Sequence, residues 1–309
     1  MADNEVQLSP ELEKLAKADL REDETLRKQV LTQMREWLEK SSEITNCRTD
    51  AQFLLRFLRT KKYSLPLAQE MLERYLAIRQ LYPDWFKKLD VDDPKMLELI
   101  DLGYCVALPE RDEFGRKVIF TCTGKFDASK YTSTDMVRIH SLILESYMDD
   151  HENQIRGYTQ IYDESGLSMN HLAIWSLTDI RNIIKCIQNS VPMRHKSTHF
   201  LNLPTSANKI FEFFLALLNE KLKNRVMVHK SIDDLKKQIN PDILPKEYGG
   251  KVPLADMIEN MKKELRSRKE ILLSLDNMEI DLTKKTKLVD DLEESVSGVA
   301  GSFRKLEVD

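Results

Sequence analysis

The chain is poor in the residues that mark secreted, metal-bound or membrane-spanning proteins. Its four cysteines, Cys47, Cys105, Cys122 and Cys186, lie far apart. There is no C-x-x-C pair and no histidine at metal-ligand spacing, so neither a disulfide framework nor a zinc site is indicated. The thiols read as structural groups in a reducing compartment. Apolar runs are broken by charge well short of the ~20 residues that span a bilayer, and Met1 to Glu5 lack the basic-then-apolar pattern of a secretory leader. A cytoplasmic protein is expected. Signatures of catalysis are missing as well: no G-x-x-x-x-G-K-[ST], G-x-G-x-x-G, H-E-x-x-H or G-x-S-x-G occurs. His151-Glu152 has no second histidine for zinc and reads as a satisfied surface pair. Asp163-Glu164-Ser165-Gly166 closes a strand without a neighbouring nucleophile, and Asp163 is read as ordering the turn that follows. Neither an enzyme nor a metal or organic cofactor is expected. With 47 Lys and Arg against 51 Asp and Glu, the net charge is −4, and no nucleic-acid partner is expected.

What is present suffices for a large core: 309 residues, 41% of them hydrophobic, favour one large domain plus a smaller one. Residues 10 to 90 are helical by pattern. Leu26, Val30, Met34, Trp37 and Leu38 recur at helical intervals, as do Phe53, Leu54, Phe57 and Leu58, and then Leu67, Met71, Leu72, Tyr75, Leu76 and Ile78. Asp50 is a candidate N-cap, and Pro66 suits a first helical turn. From residue 103 the period changes to two. Gly103 to Leu108 and Lys117 to Cys122 read as a hairpin, followed by a helix (134–150), strand (157–162), helix (170–189), strand (197–203), helix (206–223) and strand (225–229). Strands alternating with helices predict an α/β fold with a mixed, mostly parallel sheet behind an N-terminal helical bundle. The expected parts are residues 1–95, 96–255 and 256–309. The last combines a helix around Met257, Ile258, Met261 and Leu265 with a tail from Asp281 onward, rich in charge and then in Gly and Ser, read as largely mobile with a short helix forming on contact.

The most informative stretch is Met193 to Lys230. It places seven Lys or Arg against two acids, around the apolar run Ile210 to Leu218. A strand of residues 197–203 spans about 23 Å and a helix of residues 206–223 about 27 Å. The helix end carrying Lys221 and Arg225 should therefore return beside Arg194 and Lys196. Four cations so placed suit one anionic headgroup, although cations also gather at helix C-termini for the sake of the helix itself. Ile210, Phe211, Phe214, Leu217, Leu218 and Leu222 form an inward stripe. Phe213 lies off it, as an aromatic that inserts at a membrane interface would.

These residues also carry a family resemblance. Asp50 to Arg59 with Lys61-Lys62-Tyr63, Gly103-Tyr104, Arg111 to Val118, Gln154 to Gly157, Ile161 to Gly166, Val191-Pro192, His199 to Pro204 and Leu244 to Gly250 resemble CRAL-TRIO proteins in order and spacing. The resemblance covers roughly residues 20 to 270. It is closest to the branch of α-tocopherol transfer protein, cellular retinaldehyde-binding protein and the clavesins. It implies a carrier that holds one hydrophobic molecule (tocopherol, retinoid, carotenoid or another lipid) beneath a mobile gate helix matching Ser206 to Leu222. It also implies peripheral membrane contact and a phosphoinositide cleft at Arg194, Lys196, Lys221 and Arg225. Pocket positions then fall on Val137, His140, Leu144, Tyr158, Tyr162, Trp175, Ile183, Cys186, Ile187, Val191, Phe211, Phe214 and Leu218. His140 or Tyr162 could bond a polar end of the ligand. Leu218-Asn219 stands where the family's gate continues through Pro-Phe. A lipid-regulated adaptor or sensor, without net transfer, is the alternative implied role.

Overall fold

The computed structural model describes residues 6–293. Helix α1 (Pro10–Leu20) starts at Ser9, whose hydroxyl accepts from Leu12 N, and ends at Arg21 in the left-handed region, φ 64°. The three helices read from the sequence follow as α2 (Glu24–Lys40), α3 (Ala51–Thr60) and α4 (Leu65–Leu81), with a two-residue strand β1 (Ile44–Thr45) after α2. Asp23 and Asp50 cap α2 and α3, each accepting from a backbone N–H three residues on. The extra helix, α1, has a thin apolar face. Ala16 and Leu20 form a small cluster with Ile155, apart from the main core.

Two short helices, α5 (Pro83–Phe86) and α6 (Pro94–Asp101), lead to the hairpin β2 (Cys105–Arg111) and β3 (Lys117–Cys122). After it come α7 (Ser133–Tyr147), α8 (His151–Arg156), β4 (Tyr158–Asp163), α9 (Met169–Ala173), α10 (Leu177–Asn189) and β5 (His195–Leu201). The helix expected at 134–150 is α7, with the short α8 added beyond it, whereas the one expected at 170–189 is split into α9 and α10; each addition starts at a new cap. Asp150 accepts from Asn153 N to start α8, and Ser176 forms a capping box with Asp179 to start α10.

The presumed gate is split too. After a turn at Thr205–Ala207, α11 (Asn208–Leu217) ends where Leu218 turns extended, and Asn219 caps α12 (Glu220–Lys223). Strand β6 (Val226–His229) and α13 (Ile232–Leu235) follow. Helix α14 (Leu254–Ser274) packs on β2 and α7. The charged stretch from Asp281, expected largely mobile with a short helix on contact, is packed through its described residues and does carry such a helix. Strand β7 (Glu279–Ile280) pairs with β1, and α15 (Thr286–Glu293) lies beside α4. Lys285 bonds Glu43 and Glu73, and Arg74 bonds Asp291 at 2.6 Å. The Gly/Ser segment expected at 295–302 lies outside the described residues.

The main sheet has five strands in the order β2-β3-β4-β5-β6, antiparallel only at β2-β3. The helical N-terminal region is joined to it by buried arginines of α3. Arg56 pairs with Glu145 of α7 and with Asp149 at 2.7 Å, and Arg59 donates to Gln154 of α8 at 2.7 Å.

Candidate functional site

Alternation along β4 and β5 gives the sheet one cavity face. Gln160, Tyr162, Thr198 and Phe200 point one way, into a cavity of about 360 Å³ enclosed by the sheet, α7, α10 and α11. The opposite face is polar: Thr159 donates to Asp112 at 2.7 Å and lies 2.9 Å from Ser197 Oγ, while His199 and His229 are 2.9 Å apart. Of the positions assigned to the pocket from sequence, Val137, His140, Leu144, Tyr162, Trp175, Ile183, Ile187, Val191, Phe211, Phe214 and Leu218 line the cavity.

Tyr158 and Cys186 do not reach it. Tyr158 has the right parity, but it opens β4 beneath the α7–α8 junction and donates to Tyr147 O at 3.0 Å. Cys186 is buried on the face of α10 turned away from Ile183 and Ile187, and burial pushes its thiol pKa up to about 12.

The lid over this cavity is α11. None of its ten residues is fully buried, although six of them are Ile, Phe or Leu. Ile210, Phe211 and Phe214 face the cavity, and Leu218 and Leu222 continue that line. Phe211 and Phe214 meet Phe200 of β5 with ring centroids 4.9 and 5.8 Å apart. Leu217, expected on the inward stripe, is off the lining, because the helix ends there and Leu217 O accepts from the Gln188 amide. Phe213 is half-buried.

The four cations lie at the sheet edge of this lid. Arg194 and Lys196 converge on one carboxylate: both are 3.3 Å from Asp19 Oδ2 of α1. Arg194 also donates to Ile155 O, and Arg225 donates to His195 O. Gly157 makes the approach feasible. It sits at φ 87°, and a Cβ there would meet Arg194 O at 2.5 Å. Lys221 and Arg225 no longer share a helix, since α12 stops at Lys223, yet the chain brings them together. Lys221 is exposed; burial and then its neighbours Arg225, Lys62, Arg194 and Lys61 lower its pKa. Burial followed by Arg116 lowers that of Arg225. Like charges gathered so closely raise the local positive potential. For Asp19, burial works to raise the carboxyl pKa, but Lys196 and Arg194 outweigh it and hold it below the usual range.

Against this geometry stand the sequence comparisons. The CRAL/TRIO domain model matches residues 102–250, and a Pinta-like UBA domain model matches residues 23–96. Clavesin-1 of Xenopus laevis is 32% identical over 251 residues, covering 81% of this chain and 76% of its own length. Clavesin-2 of Homo sapiens is also 32% identical, with 81% and 77% covered. The chain belongs to the CRAL-TRIO family. The crystal structure of Sfh5 shares the fold, with a TM-score of 0.51 at 13% identity over 86% of this chain and 99% of that one. Membership places the protein among lipid-binding transfer proteins.

In this CRAL-TRIO protein several site residues escape a motif-based reading. Tyr104, Gln160, Glu164, His171, Met193, His195, Thr198 and Phe200 also line the cavity. Lys61, Lys62 and Arg116 add to the field of the basic cluster. Strand parity was the signal for Gln160, Thr198 and Phe200. The residues expected to be structural rather than chemical have local partners. Asp163 orders its turn by accepting from Ser165 N and Asn202, and takes a 2.6 Å bond from Tyr248. His151 and Glu152 pair with other residues, Arg59 and Arg156 respectively. Among the described residues no helix is long and apolar enough to cross a membrane.

Proposed function

We propose that this protein carries one hydrophobic molecule in the α7–α10–α11 cavity and exchanges it at phosphoinositide-bearing membranes, working from the cytoplasm. The observation that carries this reading is the meeting of two features at one place. A greasy, half-exposed lid covers the cavity, and its hinge end abuts Arg194, Lys196, Lys221 and Arg225. Burial of the cargo favours uptake at ~25 cal/mol per Å² of apolar surface. Release requires an open state that gives up those contacts, and the break at Leu218-Asn219 is a hinge about which α11 can swing. With the lid raised, Phe213 and the cavity-facing side of α11 would meet lipid while the cations meet the headgroup. Tocopherol, retinoids and carotenoids are cargo classes of suitable chemistry.

Transfer of a fluorescent retinoid between liposomes, with and without phosphoinositide in the acceptor, tests this reading. Reversing all four basic charges should abolish the phosphoinositide-dependent acceleration. Unchanged vesicle binding and transfer in that variant would sink the cleft. Cargo binding without net transfer by the native protein would instead favour the adaptor alternative.

A further inference from the structure

The cavity wall contains polar groups, and most of them are already engaged. Tyr104 Oη lies 3.3 Å from His140 Nε2 and Cys105 Sγ lies 3.6 Å from His140 Nδ1, so both ring nitrogens expected to serve a ligand have protein neighbours. His171 is held by Ser168 and Phe126 O. Three groups on the lining are buried and have no hydrogen-bond partner among the described residues: the Tyr75 hydroxyl, Gln160 Oε1 and His195 Nε2. Tyr75 stands on α4 with the Glu145 carboxylate as its charged neighbour, whereas Gln160 and His195 stand on the sheet. Gln160 is only 3% exposed. An unpaired polar atom in such a place costs about 1 to 3 kcal/mol, which native proteins rarely tolerate without a use for it.

The two belong to one spot. Gln160 opposes Thr198 in the β4-β5 register and Tyr158 opposes His195, with a bulge just after Tyr158. Gln160 thus stands two residues along β4 from the position opposite His195, and both side chains are on the cavity lining.

We propose that Gln160 and His195 form the polar end of the cavity and hold the hydroxyl of a neutral amphiphile whose hydrocarbon part runs under Phe211 and Phe214. This rests on the carrier reading and names the class of cargo. A carboxamide and a neutral imidazole each present a donor and an acceptor. A hydroxyl donates to one and accepts from the other whichever way the amide and the ring are turned. An ether only accepts, and a carboxylate accepts while burying a charge. His195 stays neutral in this setting, because burial, assisted by Arg225, pushes its pKa down to about 4. Arg225, the cation on the lining, is committed to the His195 carbonyl.

Matched probes test the assignment: all-trans-retinol against retinyl methyl ether and retinoic acid, and hexadecanol against hexadecyl methyl ether and palmitate. Binding to the full chain is measured by quenching of tryptophan fluorescence, since Trp175 lines the cavity. The native protein should prefer each alcohol to its ether by about five- to a hundredfold. In Gln160→Met with His195→Phe the preference should fall below about threefold, while the ethers bind as before. Circular dichroism confirms folding, and the native alcohol-to-ether ratio needs no variant at all. Equal binding of alcohol and ether by the native protein overturns the polar end while leaving the carrier reading intact. Tighter binding of either acid also overturns it, in favour of a charge contact at Arg225. Failure of every probe, ethers included, would count against the cavity as a carrier site for ligands of this size.

Discussion

Asp19 is an internal competitor for the proposed headgroup, and its removal has a predictable sign. In Asp19→Asn the two 3.3 Å pairs to Arg194 and Lys196 vanish without loss of either cation. The carboxylate is 40% exposed, so water screens each pair, and about 0.2 to 1 kcal/mol apiece is a fair value. An incoming phosphate no longer has to displace that carboxylate. The gain in binding is therefore about 0.4 to 2 kcal/mol, or about two- to thirtyfold in affinity. The fold should lose no more than the same amount, because Ala16 and Leu20 still pack on Ile155 and Glu11 still bonds Arg156 at 2.5 Å. Sedimentation with vesicles containing phosphatidylinositol phosphate, beside vesicles of phosphatidylserine at matched charge, reads the effect. It should shrink as salt rises, since exposed charges are screened. If Asp19→Asn leaves affinity and its salt dependence unchanged while Arg194→Glu with Lys196→Glu abolishes binding, Asp19 does not compete. If both variants bind like the native protein, the cations are not the headgroup site.

Arg56→Ala leaves Glu145 and Asp149 buried without their shared partner and should cost about 3 to 5 kcal/mol, visible as a lower midpoint in urea. Arg56→Met, which fills the same space, should do no better, because both carboxylates stay behind. Burial pushes the His140 pKa down from 6.5 to about 4, so the unfolded chain binds a proton there that the folded chain refuses. Its contribution is fully present above about pH 6.5 and is lost as pH falls toward 4, by at most about 3 kcal/mol; melting of His140→Phe should decline less between pH 7 and 5. Phe213→Asp on the exposed side of the lid should weaken vesicle binding several-fold and slow transfer, with little change in melting temperature because Phe213 is only half-buried. Unchanged vesicle binding would mean that α11 does not enter the interface.

Much of the fold is legible in the sequence because its two periods are strong. The 3.6-residue stripes of α2, α3 and α4 and the β-branched runs of β2 and β3 are long enough to dominate local preference. The splits were written in caps rather than in periodicity. Ser176 and Asn219 each interrupt an apolar pattern that continues across them, so period alone merges the helices, while the six residues of α8 after Asp150 are too few to show a period. The order of the tail from Asp281 was hidden for a different reason. Its charges read as solvated, whereas Lys285 and Asp291 find partners on α4 more than 200 positions away in the chain. No local signal reports such a pairing.

The site shows the same division between what a strand says and what a fold adds. Within Arg194-His195-Lys196, alternation sends the flanking cations to one side of β5 and the imidazole to the other. The charge on that segment is conspicuous, so the cleft is legible from it, while nothing local singles out His195 between the cations. Only the register with β4 sets it beside Gln160 on the cavity wall. Arg225 then ties the two sides together, because its guanidinium reaches toward the cations yet bonds the carbonyl of the residue whose ring faces the cargo space. A phosphate that drew Arg225 outward would have to break that bond and loosen His195 within the wall. If the cations are the headgroup site, the Arg225–His195 bond makes headgroup binding and grip on the cargo oppose each other, which is the sign that delivery at a membrane requires.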